Sequence, residues 1–322
     1  MKKIYNEAFD AGNEEESPLL FEMEAEPIKR YLLKKQRRYV AVYADGIHVI
    51  MDGEDDYYTH DDICDVYIRE LVEEDVENRQ TIINLTHERS CWLEDSVFPG
   101  FSENMEIVLK NEWSYYLKKR EYPETVKWFV SCCAVVQIDS GVNPYIFGGS
   151  YKDPTTALET QEELQESWGF NNKYDLLDML PKLLDGRAVE QYREKSNHDE
   201  LLSVDERVLY QKIADAGGER CLWAWDLQRL ILLCSLGYVC DYLLWDEALD
   251  WSLKAGIKLQ KLFRNWDEFM HCYLLGYCFW SGDSIDDEDS EAALRYRMYE
   301  HYKKLPDNPW SPNWDMTLEC EW

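Results

Sequence analysis

The rhythm of apolar and polar positions changes once along this chain. Between residues 38 and 101 it is short and alternating. Tyr39 to Tyr43 is an apolar run, Asp45-Gly46 is a hairpin turn signal, and Ile47 to Ile50 returns from it. Asp52-Gly53 marks the next turn. From Asp65 to Leu71, Val66 and Ile68 share one face while Tyr67 takes the other. Thr81 to Leu85 and Cys91 to Leu93 supply two more strands. Ser102 with Glu103 then reads as the cap of a helix carrying Ile107, Val108, Trp113, Tyr116 and Leu117.

From Pro123, which stands where a helix can begin, the period becomes 3.6. Val126, Phe129, Val130, Cys133 and Val136 form a stripe that Gly141 ends. The same periodicity predicts helices over 155–167, 172–184, 187–196, 199–215, 222–236, 245–262, 265–280 and 289–304. Asp185-Gly186 and Gly217-Gly218 separate some of them. Pro306 to Trp322 holds three prolines and three tryptophans and is expected to run as a strap whose rings cover the helical core. The fold class expected is therefore α+β. Residues 1–37 form a tail that becomes helical, 38–120 a small antiparallel β-rich domain closed by a helix, and 121–322 an all-α domain with its C-terminal strap. The boundary is expected between 100 and 125.

Charge narrows the function. Lys and Arg number 34 against 64 Asp and Glu, a formal charge of −30. Such a surface disfavours nucleic acid and anionic lipid. The concentrated positive charge lies at Lys29, Arg30, Lys34, Lys35, Arg37 and Arg38, read as a solvated face. The start, Met1 to Glu7, has two lysines but no apolar segment behind them, and no stretch approaches 18 uncharged apolar residues. A cytoplasmic location without membrane insertion is expected. The ten cysteines lack a C-x-x-C pair and are expected to be free thiols, with no metal and no cofactor.

Candidate chemistry centres on one helix. Asp226 and Arg229 stand three apart, within reach of an ion pair, among Trp223, Trp225, Leu227, Leu230 and Leu233. The pair either fixes helix register or lines a small polar pocket in which Arg229 receives an anionic ligand or a partner carboxylate. Trp266, Phe269, Tyr273, Leu274 and Trp280 read as one core face, and Gly276 as a point of close helix packing. His271 and Cys272 are adjacent and point about 100° apart on a helix, so they form no nucleophilic pair. His87 near Glu88 and His198 near Asp199 are equally unsupported. Asp286-Asp287-Glu288-Asp289 lacks the spacing of a calcium loop, and Gly148-Gly149 lacks that of a phosphate loop. No catalytic residue is assigned. The binding residues expected are Trp225, Asp226, Arg229, Tyr238, Trp266 and Tyr273.

Two resemblances add to this. The pieces YADGIHVI, DDICDVYI, TIINLT and MEIVLKNEWSYYLKK resemble small bacterial pleckstrin-homology-like (PH-like) domains in pattern. The second half carries Trp225-Asp226-Leu227-Gln228-Arg229, Gly237-Tyr238, Trp245-Asp246-Glu247-Ala248, Asn265-Trp266-Asp267-Glu268-Phe269, Tyr273-Leu274-Leu275-Gly276-Tyr277, Phe279-Trp280 and Pro309-Trp310-Ser311-Pro312. With Glu166 to Phe170 upstream, this ordered set resembles the bacterial domain-of-unknown-function 1266 family (YbeU/YbeR-like) over about residues 113–315. It departs from the family at Val239 to Tyr242, where a small or Gly residue is common. The resemblance implies a fold and no activity. The leading functional expectation is a non-enzymatic protein-interaction module, immunity- or inhibitor-like, binding a basic partner. The alternative is a small-ligand or phospholipid-binding adaptor, and the third reading is an enzyme using Asp226 and Arg229.

Overall fold

The computed structural model describes residues 17–28, 36–51, 53–73, 76–85, 90–118, 121–152, 154–197, 202–306 and 308–322. The N-terminal part holds two antiparallel sheets. β1 (Leu19–Ile28), β2 (Gln36–Tyr43), β3 (Gly46–Met51) and β4 (Glu54–Thr59) pair in sequence order. β5 (Ile63–Glu73), β6 (Val76–Leu85) and β7 (Ser90–Glu94) form the second sheet. α1 (Phe101–Lys110) and the short α2 (Ser114–Lys118) follow. Val40, Val42, Ile47, Val66, Ile83 and Leu93 bury their side chains with Phe101, Met105, Trp113 and Tyr116 from the helical segment. The alternation read at 65–71 and the Asp45-Gly46 hairpin are both present.

Three expectations change here. Residues 19–28, assigned to a tail that becomes helical, are strand β1. Phe21 and Met23 pack on the core while Glu22, Glu24 and Glu26 are exposed, which is period two. Its acidic residues, with Pro18 before it and Pro27 within it, hid the alternation. β4, the acidic run EDDYYT, is a strand with no strong apolar face and was not expected. Ser102 does not cap α1. It lies inside the helix, fully buried, with its hydroxyl 3.1 Å from that of Thr81, and its own amide donates to Asp95 Oδ1 at 2.9 Å. Lys29, Arg30, Lys34 and Lys35 of the basic run, together with His87 and His198, lie outside the described residues. Arg37 pairs with Glu24 at 3.1 Å.

The rest is helical: α3 (Glu124–Asp139), α4 (Pro154–Trp168), α5 (Lys173–Leu184), α6 (Arg187–Ser196), α7 (Val204–Ala216), α8 (Arg220–Val239), α9 (Trp245–Leu262), α10 (Trp266–Ser281) and α11 (Glu291–Tyr302). The predicted helices are found within a few residues of these limits. The exception is the start of α7, which a Ser203–Glu206 capping box moves to Val204. α8 is apolar on every side and packs against α3, α4, α5, α6, α9 and α10, as a core helix must. At its crossing with α10, a Cβ on Gly276 would stand 2.5 Å from the carbonyl oxygen of Cys221. The helices therefore touch backbone to side, as that glycine implied. No helix among the described residues is long and apolar enough to cross a membrane. The ten cysteines are free, and seven of them are buried in the helical half.

Polar contacts join the two parts. The amide of Glu70 on β5 donates to the Tyr302 hydroxyl at 2.8 Å, and Asn143 Nδ2 donates to buried Asp65 at 2.5 Å. Within the helical part, Arg295 links α11 to α3 and α10 by donating to Asp139 at 2.8 Å and to the Tyr273 hydroxyl at 3.2 Å. Among its described residues the C-terminal segment forms no helix or strand. Trp310 and Trp314 are buried, and Trp314 Nε1 donates to the carbonyl of Phe263 at 2.9 Å.

Trp314 lies 4.7 Å from Trp266, 5.1 Å from Trp128 and 5.6 Å from Phe269 between ring centroids. Trp314→Ala should therefore cost about 3–5 kcal/mol, read as a lower urea midpoint with an unchanged m-value. An unchanged midpoint would mean that the strap is an ornament on a core complete without it.

Candidate functional site: an arginine framed by tryptophans

Helical spacing places Trp225 and Arg229 on one face of α8, with Asp226 beside them. Asp226 is 1% exposed, and its Oδ2 accepts the amide of Ala188 at 2.7 Å. The reason lies in α6. Its N-cap is Gly186, at φ 89°, which has no side chain to cap the free amides. A Cβ there would stand 2.4 Å from the ring of Trp223, so no other residue fits. Asp226 supplies the missing cap from a neighbouring helix. Burial pushes its pKa up to about 7, against the opposing pull of the Ala188 amide and of Arg229 and Arg187.

The direct Asp226–Arg229 ion pair expected from the spacing is not formed. The carboxylate is held by α6, and the guanidinium turns into aromatic rings instead. Its central carbon lies 4.0 Å from the ring centroid of Trp168, 4.9 Å from that of Trp225 and 5.6 Å from that of Trp280. These are cation–π distances. Among the described residues no carboxylate lies within ion-pair distance of Arg229 and none of its N–H groups makes a hydrogen bond. Burial pushes its pKa down to about 10, so it remains a cation at neutral pH. Trp280 is 59% exposed, which opens the frame to the surface. What the rings cannot satisfy is the planar edge of N–H donors, whose fork matches a carboxylate or phosphate.

Of the expected binding residues, Trp225, Asp226 and Arg229 come together. Tyr273 stands behind them, its ring 5.6 Å from Trp225 and its hydroxyl bonded to Arg295, and it is buried. Trp266 belongs to the strap instead, with Nε1 donating to the Pro312 carbonyl at 2.8 Å. Tyr238 lies in a separate aromatic cleft near the end of α8. Trp168 and Trp280 were not assigned to the site. Helical register placed Trp280 on the core face with Trp266, but the last turn of α10 runs past the core and exposes it.

Comparison with known proteins bears on these residues. Residues 163–322 match the family described as protein of unknown function (DUF1266). The part of the chain from within α4 to its end, residues 163–322, belongs to that family. The match begins later than the resemblance over 113–315 implied, and it contains Trp168, Trp225, Asp226, Arg229 and Trp280. The uncharacterized protein YbeU of Escherichia coli (strain K12) is 25% identical over 188 residues, covering 49% of this chain and 79% of YbeU. The uncharacterized protein YbeR of the same organism is 23% identical over 139 residues, covering 38% of this chain and 59% of YbeR. No solved structure matches. The DUF1266 region thus carries the whole Trp-framed site, and no activity comes with the family. At Val239 to Tyr242, where the resemblance departs, the turn forms with Asp241 in the left-handed region at φ 65°. Aspartate tolerates that conformation better than most residues.

The raised pKa of Asp226 fixes the sign of a pH effect. Its favourable contribution is present below the unfolded value near 3.8 and is lost as pH rises through about 7. Asp226→Asn keeps an oxygen for the Ala188 amide and cannot ionise. Relative to the wild type, its unfolding free energy should therefore rise between pH 4 and 7, at up to about 1.4 kcal/mol per pH unit. Urea titrations at several pH values give this difference, and parallel profiles would contradict it.

Proposed function

We propose that this chain is a non-catalytic binding module in which Arg229 receives a carboxylate or phosphate of its ligand or partner. One observation carries the reading. In a protein of formal charge −30, a guanidinium framed by three tryptophans has no carboxylate partner among the described residues. A desolvated cation attracts an anion more strongly than a hydrated one does. The rings hold the side chain in place, so little conformational freedom is lost on binding. The employment of Asp226 as a helix cap supports binding over catalysis, because the carboxylate beside Arg229 on α8 already has a task. Titration of inorganic phosphate and of acetate, followed by NMR, tests this. Binding should be lost in Arg229→Met and weakened about tenfold in Arg229→Lys, which keeps charge but not the fork. Equal affinity in Arg229→Met would remove the reading.

A second reading rests on the charge itself. The acidic surface favours a basic protein partner, as an immunity- or inhibitor-like role requires, and steering by such a field speeds capture. A partner recovered from the source cells should then be basic, and its association rate should fall by about 10-fold or more between 0.01 and 0.15 M salt. A flat rate speaks against this reading. The succession of two antiparallel sheets and a closing helix supports a PH-like module for the N-terminal part. The two separate buried clusters, 25–116 and 126–318, support two domains, with β1 added to the first.

A further inference from the structure

A cleft of about 360 Å³ opens between the segment around residues 142–152 and the junction of α8 with α9. That is the size of a pocket for a small organic molecule. The segment can lie this close to α8 because residue 148 is glycine. Gly148 has φ 91°, and a Cβ on it would stand 2.5 Å from Val239 Cγ2 and 3.0 Å from the Ser235 carbonyl oxygen.

The walls are aromatic. The Trp245 ring lies 4.9 Å from Tyr238, 5.5 Å from Phe147 and 6.0 Å from Tyr122, the last pair being nearly parallel at 27°. Among the described residues, one charged side chain enters. Lys152 Nζ sits 4.7 Å from the Tyr238 ring centroid and pairs with Asp241. The side chain of Asp241 is 65% exposed, so this ion pair is solvent-screened and readily exchanged. Asp241 is also the one non-glycine residue with positive φ among the described residues, and strained backbone of this kind gathers at functional sites.

We propose that this cleft binds a small planar aromatic acid, its ring against Trp245 and Tyr122 and its carboxylate on Lys152 in place of Asp241. Charge decides the class of ligand. A neutral ring would leave the ammonium unused, and an aromatic amine would bring a second cation against Lys152. The aromatic walls supply area and orientation, while Lys152 selects for the acid. The inference does not depend on Arg229, which lies in another part of the helical half.

Calorimetry on the full chain with indole-3-carboxylate, indole and tryptamine tests it. The acid should bind best. Lys152→Met should weaken the acid about tenfold or more and leave indole unchanged. Asp241→Asn keeps the left-handed turn, removes the competing carboxylate, and should tighten the acid. In the Arg229→Met background the dependence of acid binding on Lys152 should persist, which separates this cleft from the site above. Melting temperatures of the variants report whether each folds, and the Asp241→Asn gain cannot arise from misfolding. The proposal is overturned if no probe binds, if tryptamine binds more tightly than the acid, or if Lys152→Met binds the acid as the wild type does.

Discussion

The carboxylate of Asp226 is buried because a helix N-terminus needs it. α6 begins at a glycine that no larger residue can replace, since the Trp223 ring occupies the space where a Cβ would go. Its free amides must then be satisfied from outside, and α8 does so at 2.7 Å. Much follows from that single bond. It fixes the register of α8 against α6, and it engages the only acid that could have neutralised Arg229 along the helix. It thereby leaves a guanidinium to be accommodated by rings. The Trp-framed arginine is a consequence of how one helix is capped.

Arg229 and the molecule's charge pull in opposite directions. A surface carrying −30 repels small anions at long range, with a reach of about 8 Å at physiological salt. A cation with no carboxylate partner among the described residues attracts them at contact. An anionic group presented by a larger ligand, brought in by other contacts, resolves this opposition better than a free ion does. The aromatic cleft at Lys152 uses the same grammar with weaker parts: rings for area, one cation for selection, and an internal carboxylate at the mouth that a ligand can replace.

Most of the helical half was legible because long helices with a 3.6 period announce themselves, and because the strap's prolines and tryptophans allow little else. β1 was missed because its exposed face is all glutamate and it follows Pro18 and contains Pro27, so it reads as an acidic tail. β4 has almost no apolar face to read. At the site, spacing identified Trp225, Asp226 and Arg229 correctly as neighbours and wrongly as an ion pair. Spacing along one helix cannot show that a second helix, α6, competes for the carboxylate. Trp168 comes from another helix and Trp280 from beyond the core end of α10, so only three-dimensional packing brings them to Arg229. Tyr238 and Trp266 shared the motif set with the site residues but serve a cleft and the strap.

The most direct measurement is the side-chain Nε–Hε resonance of Arg229 in a ¹H–¹⁵N NMR spectrum, assigned by its loss in Arg229→Lys. Three flanking rings should shift it upfield of the other arginines and slow its exchange with water. Adding phosphate should move this resonance while the remaining arginine signals stay in place. A resonance at the position of solvent-exposed arginines, or one that phosphate does not move, would contradict the account of Arg229 as a framed receptor for an anion.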